Sequence, residues 1–142
     1  GLNISVDDVV YFGRNIYDYV VQVKNEHIVR KCSPHFSLLK QVDTRATTLT
    51  AIADTDGTNV YDTISRVFLP RVGIDEDHVC GSAHCGIAQH YSNLLNKYEL
   101  SCYEASSRPG GLIMTVLEDL RLDLRASCHI TFGPSVVALP PI

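Results

Sequence analysis

With 142 residues, the chain is long enough for one hydrophobic core and too short for two. Its 45% hydrophobic and 20% charged residues are those of an ordinary soluble globular domain, and its net charge of −4 argues against nucleic acid as a partner. There is no apolar run of membrane-spanning length and no signal-peptide pattern at the start, so no membrane partner is expected. The five cysteines are an odd number and include no Cys-x2-Cys pair, so neither a complete disulfide set nor a structural zinc site is expected. Reduced, partly buried thiols in a cytoplasmic protein are the simplest reading. A start at Gly rather than Met fits a processed, tag-cleaved or excised piece.

In chain order, residues 1–8 form a lead-in and 19–24 a strand by their β-branched content. Asn25-Glu26 reads as a turn, and 27–32 as the returning strand of a hairpin. Ser33 as cap and Pro34 at the first helical position open a short helix through Val42, with Phe36, Leu38, Leu39 and Val42 as its apolar residues. Residues 47–53 read as a strand, 54–59 as a loop, and 63–69 as a strand stopped by Pro70. An acidic turn follows, holding Asp75, Glu76 and Asp77. A longer helix begins near Gly81-Ser82, with Ala83, Ile87, Tyr91 and Leu94/Leu95 as its buried stripe. Apolar runs at 100–105, 112–117, 121–124 and 129–132 then alternate with turns at Gly110-Gly111, Glu118-Asp119 and Gly133-Pro134, before Pro140-Pro141. The charges at Asp119, Arg121, Asp123 and Arg125 alternate as on a solvated sheet face. This order predicts an α+β domain: a curled, mostly antiparallel sheet around a central helix.

The chemistry concentrates at the start of that helix. About four backbone N–H groups there have no partner inside the helix, and together they suit a carboxylate or other anion. Gly81 would allow close approach to the backbone, the Ser82 hydroxyl adds a donor, and Asp77 can accept a hydrogen bond at the same pocket. The plainer alternative makes Ser82 an N-cap and Asp77 a turn residue. His84, His90 and Cys85 do not make a convincing metal set.

Residues Arg66-Val67-Phe68-Leu69-Pro70, followed by Glu76-Asp77-His78-Val79-Cys80-Gly81-Ser82-Ala83-His84, resemble the phrases Arg-Phe-Phe-x-Pro and Glu-Asp-Pro-Val-Thr-Gly-Ser-Ala-His of the phenazine-biosynthesis PhzF-like isomerases. A second family phrase, Gln-x-Ser-x-Arg-Gly-Gly, is matched loosely by residues 104–111, with Pro109 in place of a Gly. The resemblance covers residue 66 to about 137 well, and the first part only in general layout. It implies that residues 1–142 form a single diaminopimelate epimerase-like lobe, the C-terminal one of two lobes with an active site in the cleft between them. It further implies isomerisation by proton transfer on a small carboxylate-bearing molecule, with no cofactor.

On the same resemblance, Asp77, Ser82 and Cys80 are the catalytic candidates, and Gly81, Ala83, His84, Arg108 and Gly110 the substrate-binding ones. Cys80 departs from the family's Thr. Related Cys-dependent racemases and epimerases place a thiol directly before Gly at such a helix start, where the dipole favours a thiolate. The alternative is an inert substitute for Thr, since Asp75, Glu76 and Asp77 oppose a thiolate. His84 can instead supply a hydrogen bond that fixes the turn. Arg108 can hold a carboxylate bidentately or be a plain turn residue. His78 replaces a family Pro and loosens the turn.

In two-lobed members of the family the general base is a glutamate on the other lobe, a second histidine also comes from there, and neither is matched to a position of this sequence. Three readings follow. The chain is one lobe of a PhzF-like isomerase completed by a second lobe or partner chain across the cleft; or a non-catalytic binding or assembly domain derived from that lobe; or a Cys80-dependent racemase or epimerase homodimer. Each implies a homo- or hetero-oligomer.

Overall fold

The computed structural model describes residues 1–54 and 60–127. Among these residues seven strands form one sheet in chain order: β1 (Val9–Arg14), β2 (Asp18–Val23), β3 (Ala46–Ile52), β4 (Thr63–Phe68), β5 (Glu99–Glu104), β6 (Gly110–Val116) and β7 (Leu122–Ala126). The β2–β3 and β4–β5 pairings are parallel and the other four antiparallel, so the sheet is mixed with antiparallel pairs in the majority. Each parallel pair is joined by a helical crossover. Helices α1 (Glu26–Lys31) and α2 (Phe36–Leu39) link β2 to β3, and α3 (Gly81–Leu95) links β4 to β5.

The two crossovers build two cores on opposite faces of the sheet. Val20 of β2 packs with Ile87, Ala88 and Tyr91 of α3 and with Leu100, Leu112 and Met114 of β5 and β6. The next residue, Val21, points the other way, into a cluster with Val29 of α1, Leu39 of α2, Leu49, Ile64 and Phe68. A smaller group of Ala46, Val67, Leu69, Cys80 and Ala83 seats the start of α3 on β3 and β4. In the α3 core, the Tyr91 hydroxyl bonds Thr50 Oγ1 at 3.1 Å, so the ring is buried without leaving its polar tip unpaired.

Several sequence expectations need correction. Residues 27–32 are not a returning strand: Asn25 Oδ1 accepts from Ile28 N at 3.2 Å, and that cap starts α1, with Glu26 in its first turn and Arg30 and Lys31 in its last. The hairpin lies upstream, where β1, which the sequence did not announce, pairs with β2. The helix expected from Pro34 to Val42 is the single turn Phe36–Leu39. Gly110 and Gly111 are not a turn but the opening of β6. In α3 the buried stripe is Ala83, His84, Ile87, Ala88, Tyr91 and Ser92, whereas Leu94 is half exposed. The expected loop at 54–59 beyond its first residue, the expected strand at 129–132, the turn at Gly133-Pro134 and the closing Pro140-Pro141 lie outside the described residues. Among the described residues no helix is long and apolar enough to cross a membrane.

Candidate functional site

The segment from β4 to α3 is held by Arg66. Its guanidinium donates to both carboxylate oxygens of Glu76, at 2.6 and 3.0 Å, and to the Cys32 carbonyl at 2.6 Å. It also lies over the Phe68 ring, 5.1 Å from the centroid. The acidic turn is thereby clamped to the sheet, and Asp77 N adds a bond to the Val67 carbonyl at 2.9 Å. Glu76 serves as the counterion of this clamp, leaving Asp77 the acidic residue next to the helix start.

Cys80 is the N-cap of α3, so Ser82 is not. The Cys80 thiol lies 3.6 Å from the Ser82 hydroxyl, and the Asp77 carboxylate sits beside it. The three catalytic candidates therefore come together. Asp77 is half-buried with Oδ1 taking the His78 amide at 2.7 Å, and Ser82 is exposed. Of the two readings of Cys80, the surroundings of the thiol favour the inert one over the thiolate. Burial pushes the thiol above its ordinary value, Asp77 pushes it the same way, and the opposing bonds from the Ala83 amide and Ser82 do not outweigh them. With 5% of its surface exposed, Cys80 is a shielded cap.

Of the substrate-binding candidates, Ala83 and His84 have their side chains buried inside the fold. His84 Nδ1 lies 2.6 Å from the Cys80 carbonyl, which can only accept, so this nitrogen carries the proton. Nε2 then accepts, 3.0 Å from Ser65 Oγ and 3.1 Å from Cys102 Sγ. Burial lowers the His84 pKa, consistent with a neutral ring that locks the first turn of α3 onto β4 and β5. At Gly81 the missing side chain makes room for Leu124 of β7, since a Cβ would meet Leu124 Cδ2 at 2.8 Å.

The second family phrase folds onto the first. Ser106 Oγ donates to the His78 carbonyl at 2.7 Å, and Gly110 lies so close to Val79 that a Cβ would meet Val79 Cγ2 at 2.7 Å. Arg108 is exposed on the connecting loop, its amide bonded to Ser106 Oγ at 3.2 Å. At the head of this phrase is a residue the sequence reading did not single out. Glu104 Oε2 accepts from Cys80 N at 2.6 Å, directly beneath the helix start. Its side chain is fully buried, and desolvation pushes its pKa up to about 7 against the bond from the Cys80 amide; His84 Nδ1 lies 3.8 Å away and would hold the carboxylate down only if protonated. The only sequence signal was its place in the loosely matched phrase.

Arg45 and Asp18 were also missed. Arg45 Nε donates to Asp18 Oδ1 at 2.9 Å, Nη2 bonds Asp18 Oδ2, and Nη1 donates to Ser82 Oγ at 2.8 Å. These residues lie far apart in sequence and meet only because parallel β2 and β3 begin at the same end of the sheet, beside the start of α3. Among the described residues no group of three His, Cys, Asp or Glu side chains could hold a metal ion.

Comparison with known proteins identifies the family of the chain. The chain is 41% identical over 115 residues to a protein of Halalkalibacterium halodurans described as an uncharacterized isomerase, covering 81% of this chain and 42% of that one. A human phenazine biosynthesis-like domain-containing protein is 35% identical over 81 residues, 57% of this chain and 28% of its own length. Among solved structures, a phenazine biosynthesis protein of the PhzF family from Enterococcus faecalis superposes with a TM-score of 0.67 at 34% identity, covering 78% of this chain and 42% of that one. A phenazine biosynthesis PhzC/PhzF protein from Clostridium difficile gives 0.65 at 26% identity over 81% of this chain and 44% of its own. The chain thus spans less than half the length of these relatives. A sequence model of the family described as phenazine biosynthesis-like protein (PhzC-PhzF) matches residues 10–131, and the chain belongs to that family.

Proposed function

We propose that this chain is one lobe, the C-terminal one, of a PhzF-like isomerase that moves a proton on a small carboxylate-bearing substrate, and that activity needs a second, diaminopimelate epimerase-like lobe across a cleft. The observation that carries this reading is the meeting of Asp77 and Ser82 on either side of the Cys80 cap, at an α3 start with no acidic residue in its first turn. Asp77 offers an acceptor, Ser82 a hydroxyl, and the helix start a partial positive charge for a carboxylate or an enolate-like oxygen. One lobe gives one wall, and a wall alone neither excludes water nor fixes both faces of a substrate. The coverage of less than half of each relative supports the requirement for a second lobe.

A non-catalytic binding or assembly role is favoured by a different observation: the edge strand β1 and its turn expose Val10, Phe12, Ile16 and Tyr17. The Cys80-dependent racemase reading has the shielded, raised-pKa thiol against it.

The test is native mass spectrometry of the protein from its natural source, followed by ¹H NMR of the recovered assembly in D2O with a panel of small hydroxy- and aminocarboxylates. The proposal expects a two-lobed assembly that incorporates deuterium at carbon next to an acid group, and loses this on Asp77→Asn. A chain that travels without a second lobe, or an assembly that exchanges no carbon-bound hydrogen, overturns it.

A further inference from the structure

We propose that the groove between the β1–β2 turn and helix α3 is a carboxylate subsite, in which Arg45 and Ser82 hold the acid group of a small molecule while Ile16 and Tyr17 cover its apolar body. The inference rests on the reading above that this chain holds a carboxylate-bearing molecule. It assigns the acid group to Arg45 rather than to Arg108.

The groove is open to solvent and offers about 710 Å³, within the range of small-molecule sites, and Arg45, Ser82, Ile16 and Tyr17 all line it. A guanidinium has five N–H donors in a fixed fork. Arg45 spends two on Asp18 and one on Ser82 Oγ, and the other two have no partner among the described residues. The fork is rigid: Asp18 is 2% exposed, while the Arg45 side chain keeps 33% of its surface open. Because Arg45 donates to the Ser82 oxygen, the hydroxyl proton points elsewhere, and an incoming carboxylate competes for it with the Cys80 sulfur 3.6 Å away, the better acceptor being the carboxylate. Apart from Asp18, already matched by Arg45, no acidic residue lines the groove, and the partial positive charge at the start of α3 adds to the attraction.

The apolar wall is preformed. Asn15 Oδ1 accepts from the amides of Tyr17 at 2.8 Å and Asp18 at 2.7 Å, which fixes the turn. Gly86 lets that turn press on α3, for a Cβ there would come within 2.4 Å of Asn15 Nδ2. The turn presents Ile16, 83% exposed, and Tyr17, 65% exposed, beside the Arg45 fork. A charged fork next to exposed apolar side chains suits an aromatic or branched carboxylate better than a short polar one.

The experiment is an amide ¹H–¹⁵N NMR titration of the labelled full chain with benzoate and, separately, acetate. Saturable shifts are expected at Tyr17, Ser82 and Gly86, with benzoate about tenfold tighter than acetate. Tyr17→Ser should remove most of that preference. The double variant Asp18→Asn/Arg45→Met, which leaves no unpaired buried charge, should weaken benzoate by about tenfold or more. Arg108→Met should leave it unchanged. If the double variant fails to fold, Arg45→Lys decides: it keeps the charge but loses the fork, and an unchanged affinity overturns the proposal. Shifts confined to residues 81–84 that survive the double variant, or binding that disappears with Arg108, overturn the Arg45 subsite and leave the lobe assignment standing. The absence of saturable shifts with either acid overturns the subsite; if the D2O exchange experiment also fails, the broader reading falls with it.

Discussion

At the scale of single residues, the buried pair Glu104 and His84 sets a pH signature. Glu104 is raised in the fold from its ordinary carboxylate range to about 7, so the folded chain binds its proton more tightly than the unfolded chain. Its contribution to stability is therefore greatest at low pH and is lost as pH rises to about 7. His84 is lowered in the fold, so its contribution is lost as pH falls below its ordinary value. The two slopes oppose each other in the weakly acidic range. Glu104→Gln keeps an acceptor for the Cys80 amide, removes the carboxyl titration and lets the His84 pKa fall further. Urea unfolding across a pH series should show the variant gaining on the wild type as pH rises, by an amount on the order of 3 kcal/mol, with no further gain above neutrality. A constant difference would mean that Glu104 does not titrate between the folded and unfolded states. The thiols supply a second residue-level check. Cys85 is exposed whereas Cys80 and Cys102 are buried, with Cys102 pushed up to about 12 by desolvation. Among the four described thiols, iodoacetamide with peptide mapping should label Cys85 first and reach Cys80 only on unfolding.

At the scale of elements, one clamp and one cap can be broken individually. Arg66 joins β4, the acidic turn and the end of α1 through Glu76 and the Cys32 carbonyl, with 13% of its side chain exposed. Arg66→Met strands the largely buried Glu76 carboxylate and should cost about 2–4 kcal/mol in urea unfolding, whereas a freely exposed pair would cost under about 1. The Asn25 cap of α1 accepts only one amide, from Ile28, so Asn25→Ala should cost about 1 kcal/mol by the same measurement. These magnitudes rank the clamp above the cap, and a reversed order would show that the acidic turn is not held by Arg66.

At the scale of the whole molecule, α3 is the element on which stability and site both depend. Ile87 is fully buried among residues of α3, β2, β5 and β6, so Ile87→Ala should lose about 2–5 kcal/mol by lost transfer energy and a residual cavity. Thermal unfolding followed by circular dichroism measures this directly, and a loss below about 1 kcal/mol would contradict the packing described. The same helix carries Cys80, Ser82 and His84 at its start, so the rigidity of the core fixes the direction of the amides that face the candidate site.

The sequence by itself determined the strand ending at Pro70, the helix opening at Gly81 and the strands at 100–105 and 112–117, because local periodicity and a family phrase coincide there. It also marked Asp77 and Ser82 as neighbours, since only a short turn separates them. Residues 27–32 misled because Ile28 and Val29 are β-branched, while the signal that decides their structure is the Asn25 cap. Only the tertiary structure decided what lies around the helix start. Burial turned Cys80 into a shielded cap and His84 into a neutral brace. Parallel pairing of β2 with β3 brought Asp18 and Arg45 to Ser82, and β5 carried Glu104 beneath the Cys80 amide. Such contacts join residues tens of positions apart, and desolvation depends on everything packed around a group, so no local reading of the chain contains them.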